Sequence, residues 1–99
     1  MRVKCWELLY KETPIGNITI TRHDFPWTYG IFSKYAEFEK YNTFFQILVS
    51  ENSNDNDLKR FDEELFNENN WHLKNEGEIV GIDIPAIYED NEIGFRYRL

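Results

Sequence analysis

The chain has 99 residues, enough for one hydrophobic core but not two. Hydrophobic residues make up 41% and aromatics 17%, which excludes a disordered chain, and no apolar run approaches the roughly 20 residues that span a bilayer. A net charge of -7 and a single cysteine, Cys5, exclude a basic nucleic-acid-binding stripe, an internal disulfide and a cysteine-based zinc site.

In chain order, Val3 to Tyr10 is rich in aromatic and aliphatic residues. Trp6, Leu8 and Tyr10 fall on one face, Val3, Cys5 and Leu9 on the other, so a strand covered on both faces is expected, with Cys5 as a buried structural thiol. Lys11 to Gly16, with Pro14 inside it, reads as a turn. Asn17 to Arg22 alternates strictly and completes a hairpin, with Ile18 and Ile20 facing the core. The segment His23-Asp24-Phe25-Pro26-Trp27 interrupts the sheet, because proline lacks the ladder donor. Trp27 to Phe32 is the third strand, and Gly30 within it marks a bulge or a close backbone approach.

Phe38, Tyr41, Phe45, Leu48 and Val49 share one face of a helix spanning about Ala36 to Ser50. A polar linker, Glu51 to Asp57, follows, and Asn54 or Asp55 can cap the next element. Leu58, Phe61 and Leu65 predict a second amphipathic helix over about Asn56 to Asn67. Trp71 to Lys74, Ile79 to Ile84 (with Pro85 ending or kinking it before Ala86 to Tyr88) and Ile93 to Leu99 read as three further strands. The expected fold class is α+β. It is an antiparallel sheet of about five to six strands in the order βββ-αα-βββ, one domain over residues 1–99, with two helices packed on one face. The last strand is expected to pair with the N-terminal hairpin rather than lie at an edge.

The segment Gly16 to Phe32 carries the pattern G-x-I-x-x-T followed by D-x-P-W-x-x-G-x-F. It resembles a family of small bacterial proteins in which this pattern precedes an aromatic-rich helix and a closing strand with an aromatic-Arg pair. The matching residues are Gly16, Asp24, Pro26, Trp27, Gly30, Phe32, Phe38 and Phe95-Arg96-Tyr97. The likeness covers most of the chain, and its distinctive part is the central motif. It implies an α+β fold in a bacterial, cytoplasmic setting and implies no activity.

Chemistry-bearing clusters are sparse. His23 and Asp24 are sequence neighbours, which on a strand point to opposite faces, and no nucleophile elbow accompanies them. The two histidines, His23 and His72, lack metal spacing. Asn52 to Asp57 superficially resembles a calcium loop, but its sixth position is Asp57 rather than glycine. The glycines form no phosphate cradle. The expectation is therefore a protein with no enzymatic activity, cofactor or metal.

Charge supplies the leading functional expectation. Residues 1–50 carry a balance of +1 and residues 51–99 a balance of -8. Asp62, Glu63, Glu64 and Glu68 lie on the predicted second helix. They read either as a solvated face or as a docking surface for a basic protein. Asp24 and Trp27 mark the unusual turn. Asp24 there is either a turn acceptor or a polar anchor, and Trp27 either fills the core or forms a recognition surface. The expected function is a protein-interaction module, most concretely an acidic immunity-like or antitoxin-like protein that masks a basic protein partner. Neither nucleic acid nor membrane is expected as a partner. The alternative is a small-ligand-binding or sensor domain with a pocket lined by Phe25, Trp27, Tyr29, Trp71 and Tyr97.

Overall fold

The computed structural model describes residues 5–50 and 59–98. The readings made for Val3, for the linker Glu51 to Asp57 with its caps Asn54 and Asp55, for Leu58 and for Leu99 lie outside the described residues. Seven strands form: β1 (Cys5–Tyr10), β2 (Thr13–Asp24), β3 (Trp27–Lys34), β4 (Trp71–Asn75), β5 (Glu78–Gly81), β6 (Ala86–Ile87) and β7 (Glu92–Phe95). A 3-10 segment, Ala36–Tyr41, runs directly into the α-helix α1, Asn42–Leu48. Two short 3-10 turns, Glu63–Phe66 and Glu68–Asn70, precede β4. The fold is α+β in the order βββ-α-ββββ, with all pairings antiparallel in one sheet ordered β5-β4-β1-β2-β3-β7-β6.

The strand count is seven rather than five or six, because the segment around Ile79 to Tyr88 splits. Pro85 cannot donate to a ladder, so pairing stops before it and resumes after it. β5 pairs with β4 at one edge of the sheet and β6 with β7 at the other. The intervening chain carries the backbone from edge to edge. The two ends of the sheet also meet: Ile82 bridges Tyr97, Asp83 N–H donates to Arg96 O at 3.0 Å, and Arg98 N–H donates to Gly81 O at 3.0 Å. The sheet thus curls into an almost closed ring, which leaves few free backbone groups at its edges. β7 is internal rather than at an edge, but it pairs with β3 and β6 and not with the hairpin of β1 and β2, because β3 already occupies the free side of β2 and β4 that of β1.

The turns are tighter than the sequence suggests. β1 and β2 are joined by Lys11 and Glu12 alone, and Pro14 sits in β2 at a register shift opposite Leu9. β2 and β3 remain paired to Asp24 and Trp27, so only Phe25 and Pro26, joined by a cis peptide, form the turn. Gly30 faces Ile20 at the register shift between Ile20 and Arg22. A β-carbon at position 30 would come within 2.5 Å of the Thr19 carbonyl oxygen, so the close backbone approach expected there is present.

The second predicted helix does not form among the described residues. Asp62 Oδ1 accepts from Glu64 N–H at 3.0 Å, and Asn67 Oδ1 accepts from Asn69 N–H at 3.0 Å. Each bond, made two residues ahead, satisfies a donor and restarts the chain, so two 3-10 turns replace one continuous helix. Leu65 still reaches the core and Phe61 packs at its margin. The first helix is likewise not uniform. Its 3-10 opening shifts the helical phase, so Phe44 is buried beside the predicted Phe38 and Phe45.

The inner face of the sheet is continuous and apolar. Trp6, Leu8 and Tyr10 of β1 line up with Ile18 of β2, Phe32 of β3, Trp71 and Leu73 of β4, and Ile93 and Phe95 of β7. Phe38, Phe44, Phe45 and Leu65 close over this face. Cys5 is exposed rather than buried: it lies opposite Thr19, on the face of β1 away from Trp6 and Leu8.

Candidate functional site

The β2–β3 hairpin ends in a run of exposed residues, Thr21 to Trp27. Phe25, at its tip, is 92% exposed, and Trp27 is 40% exposed. Trp27 therefore does not fill the core. Beside the tip lies an open cleft of about 610 Å³, walled by Phe25, Pro26, Trp27 and Tyr97 and edged by Glu68 and Asp83. That volume lies within the range of ligand sites.

The C-terminal residues reach the cleft because Phe95 of β7 pairs with Thr28 of β3, and the bridge from Ile82 to Tyr97 adds Asp83. Arg96 Nε and Nη2 donate to Asp83 Oδ2 at 3.1 and 2.8 Å, and the Arg96 guanidinium lies 5.4 Å from the Trp27 ring centroid. The ion pair and the cation–π contact together hold the Trp27 ring in place beside the cleft. Tyr97 stands edge-on to Phe95 at 5.5 Å, and burial, then Glu78, raises its phenol above the ordinary value of 10.0. His23 places Nδ1 3.3 Å from Thr28 Oγ1, so its ring engages Thr28 across the hairpin rather than its neighbour Asp24.

Arg98 ties the chain's last strand-like residues to β4. Nη1 donates to Asn69 Oδ1 at 2.7 Å, and Nη2 donates to Trp71 O at 3.0 Å and contacts His72 Nε2 at 3.3 Å. The guanidinium lies flat against Gly81, where a β-carbon would collide with it. Arginine has no acceptor, so this contact requires His72 Nε2 to be unprotonated. Burial, and then Arg98, lowers the His72 pKa from 6.5. Lys11, Glu12 and Lys74 share the outer-face depression in which His72 sits. Because the folded state binds this proton less readily than the unfolded chain, the His72 contribution is intact above about 6.5 and is lost as pH falls from there through the lower value of the folded state. Urea midpoints are expected to drop between pH 7.5 and pH 5 in the parent and less steeply in His72→Gln, where the titration is absent. Equal slopes in the two proteins would remove His72 from the pH dependence.

The acidic residues lie on and around two 3-10 turns rather than on a regular helix face, and of them Glu68 lines the cleft. Asp62, Glu63, Glu64 and Glu68 are all exposed. Two of them have local duties: Asp62 caps the Glu64 N–H, and Glu64 Oε2 accepts from Asn70 Nδ2 at 2.8 Å. The backbone beneath them is fixed. Trp71 Nε1 donates to Leu65 O at 3.0 Å, and Lys11 N–H donates to Asn70 O at 2.7 Å. Burial, followed by the charges of Asp62, Tyr41 and Glu64, raises the Tyr10 phenol above its ordinary value of 10.0. Glu68 belongs to both features, since it also lines the cleft.

The structure thus brings Phe25, Trp27, Tyr97 and Glu68 together, with Asp24 exposed at the foot of the same turn. Trp71 and Tyr29 are not at this site. Trp71 is fully buried between Tyr10 and Phe45, and the Tyr29 ring lies under the Arg22 guanidinium at 4.3 Å. The residues that sequence reasoning missed are Asp83, Arg96 and Arg98. Pairing of Phe95 with Thr28 brings Arg96 to Trp27, and the bridge from Ile82 to Tyr97 brings Asp83 to Arg96. Among the described residues no group of three or more His, Cys, Asp or Glu could hold a metal ion, and no helix is long and apolar enough to cross a membrane. No protein-family model, curated protein or solved structure matches the chain.

Proposed function

We propose that the chain is a non-enzymatic protein-interaction module that docks a basic protein through the tip of the β2–β3 hairpin and the adjoining acidic segment. The observation that carries this reading is Phe25, a large apolar side chain 92% exposed on a turn held by paired strands. An exposed, backbone-fixed aromatic is suited to an interface anchor, because little conformational freedom is lost when a partner covers it. Asp62, Glu63, Glu64 and Glu68 supply an acidic rim that steers a basic surface onto that anchor. In its most concrete form the protein is immunity-like or antitoxin-like and masks its partner. The likeness of Gly16 to Phe32 to small bacterial proteins is in keeping with such a setting.

The test is an affinity capture from the source organism's lysate with elution in a salt gradient. The expected result is a stoichiometric basic protein released by salt and lost from the Glu63→Lys, Glu68→Lys double variant. These two residues are chosen because Asp62 and Glu64 also make local bonds. Retention of the same protein by the reversed variant would defeat the basic-partner reading.

A second reading has its own observation: Phe25, Trp27 and Tyr97 converge on one cleft of about 610 Å³. That convergence supports reading the chain as a small-ligand-binding or sensor domain.

A further inference from the structure

Building on the small-ligand reading of the cleft, we propose that it takes a small aromatic carboxylate, with the flat apolar body against Trp27 and Tyr97 and the carboxylate directed to Arg98. The walls select the body. Phe25, Pro26, Trp27 and Tyr97, all ring-bearing side chains, line the opening. A planar ring stacks on such walls and displaces water from them.

Charge selects the head group. Four charged side chains line the cleft: Arg96, Arg98, Asp83 and Glu68. Asp83 and Arg96 neutralise each other through an ion pair at 2.8 Å. Glu68 is exposed at the rim, where water screens it. Arg98 remains. It is half-buried, and among the described residues its hydrogen bonds go only to neutral acceptors: an amide oxygen of Asn69, a backbone oxygen of Trp71 and the His72 ring. Its Nε is buried with no acceptor. Among the described residues no carboxylate pairs with it. A cation held away from bulk water without a counter-charge raises the local potential, and an incoming carboxylate offsets it.

The experiment titrates the full chain with 2-naphthylacetate and, separately, with the neutral 2-naphthylacetamide. Binding is followed by ¹H–¹⁵N NMR at the Trp27 indole N–H and the Arg98 Nε–H. The expected result is that both signals shift with the acid, which binds about tenfold or more tightly than the amide. Arg98→Gln is expected to erase that preference and leave the weak amide binding in place. Because Arg98 also ties the chain to Asn69 and Trp71, the acid-against-amide comparison in the unaltered protein decides if the variant does not fold. Equal affinity for acid and amide overturns the carboxylate inference and leaves the cleft a ligand site. No shift at Trp27 with either compound at millimolar concentration overturns the ligand reading as well.

Discussion

Trp71→Ala is expected to leave the protein at or beyond the edge of unfolding. Trp71 is fully buried at the start of β4, its ring 4.9 Å from Tyr10 and 5.5 Å from Phe45. Truncating a buried tryptophan costs about 3–5 kcal/mol, because the lost apolar contacts leave a cavity that neighbours fill only in part. Here the indole N–H also satisfies the Leu65 carbonyl at 3.0 Å. Leaving that buried acceptor unpaired adds about 1–3 kcal/mol. A domain of this size has a total stability of about 5–15 kcal/mol. The loss is therefore comparable with the whole stability. Trp71→Phe separates the two contributions. It keeps much of the ring packing, removes the donor, and is expected to lose most of the smaller share. Urea unfolding followed by far-UV circular dichroism measures both variants. A loss below about 1 kcal/mol in Trp71→Ala would contradict the placement of this ring in the core.

Phe25→Ala is expected to do the reverse: stability unchanged, partner binding largely lost. Phe25 is 92% exposed, so its ring contributes little to folding, and the substitution should move stability by no more than about 0.5 kcal/mol. Aromatic anchors at interfaces lose about 2–4 kcal/mol on truncation, or roughly 30- to 1,000-fold in affinity. A titration of the captured basic partner against Phe25→Ala and the parent reads this directly, with thermal unfolding as the control on the fold. Full affinity in Phe25→Ala would remove the hairpin tip from the interface. A large fall in melting temperature would mean that the ring packs within this chain instead.

These two residues also show what is legible at the level of sequence. Both are aromatic and both lie next to turn or polar residues, yet one is core and the other fully exposed. Alternation along β1 identified Trp6, Leu8 and Tyr10 as one face, because side chains of a strand alternate strictly. Spacing likewise found Phe38 and Phe45 on the helical face. Gly30 announced a bulge or a close backbone approach, and the structure has the approach, to Thr19, beside a register shift in β2. The acidic helix failed for a local reason that periodicity does not register. The side chains of Asp62 and Asn67 compete for backbone donors, and two turns form where the apolar spacing suggested one helix. The cleft was only half legible. Phe25, Trp27 and Tyr97 stood out as candidates, but so did Trp71 and Tyr29, and no pattern in the chain separates the two sets.

The sequence by itself determined the class of fold, antiparallel α+β, and most of the residues that face the core. Both follow from local rules, the two-residue period of strands and the helical spacing of Phe38, Tyr41 and Phe45. Only the tertiary structure decided that β5 and β6 occupy opposite edges of the sheet and that Ile82 bridges Tyr97. Pairing of β7 with β3 sets Arg96, and that closure sets Asp83, beside a hairpin tip far earlier in the chain. The reason is physical. Which strand edges meet is fixed by the sum of many weak contacts across the sheet, and no short stretch of residues encodes that sum.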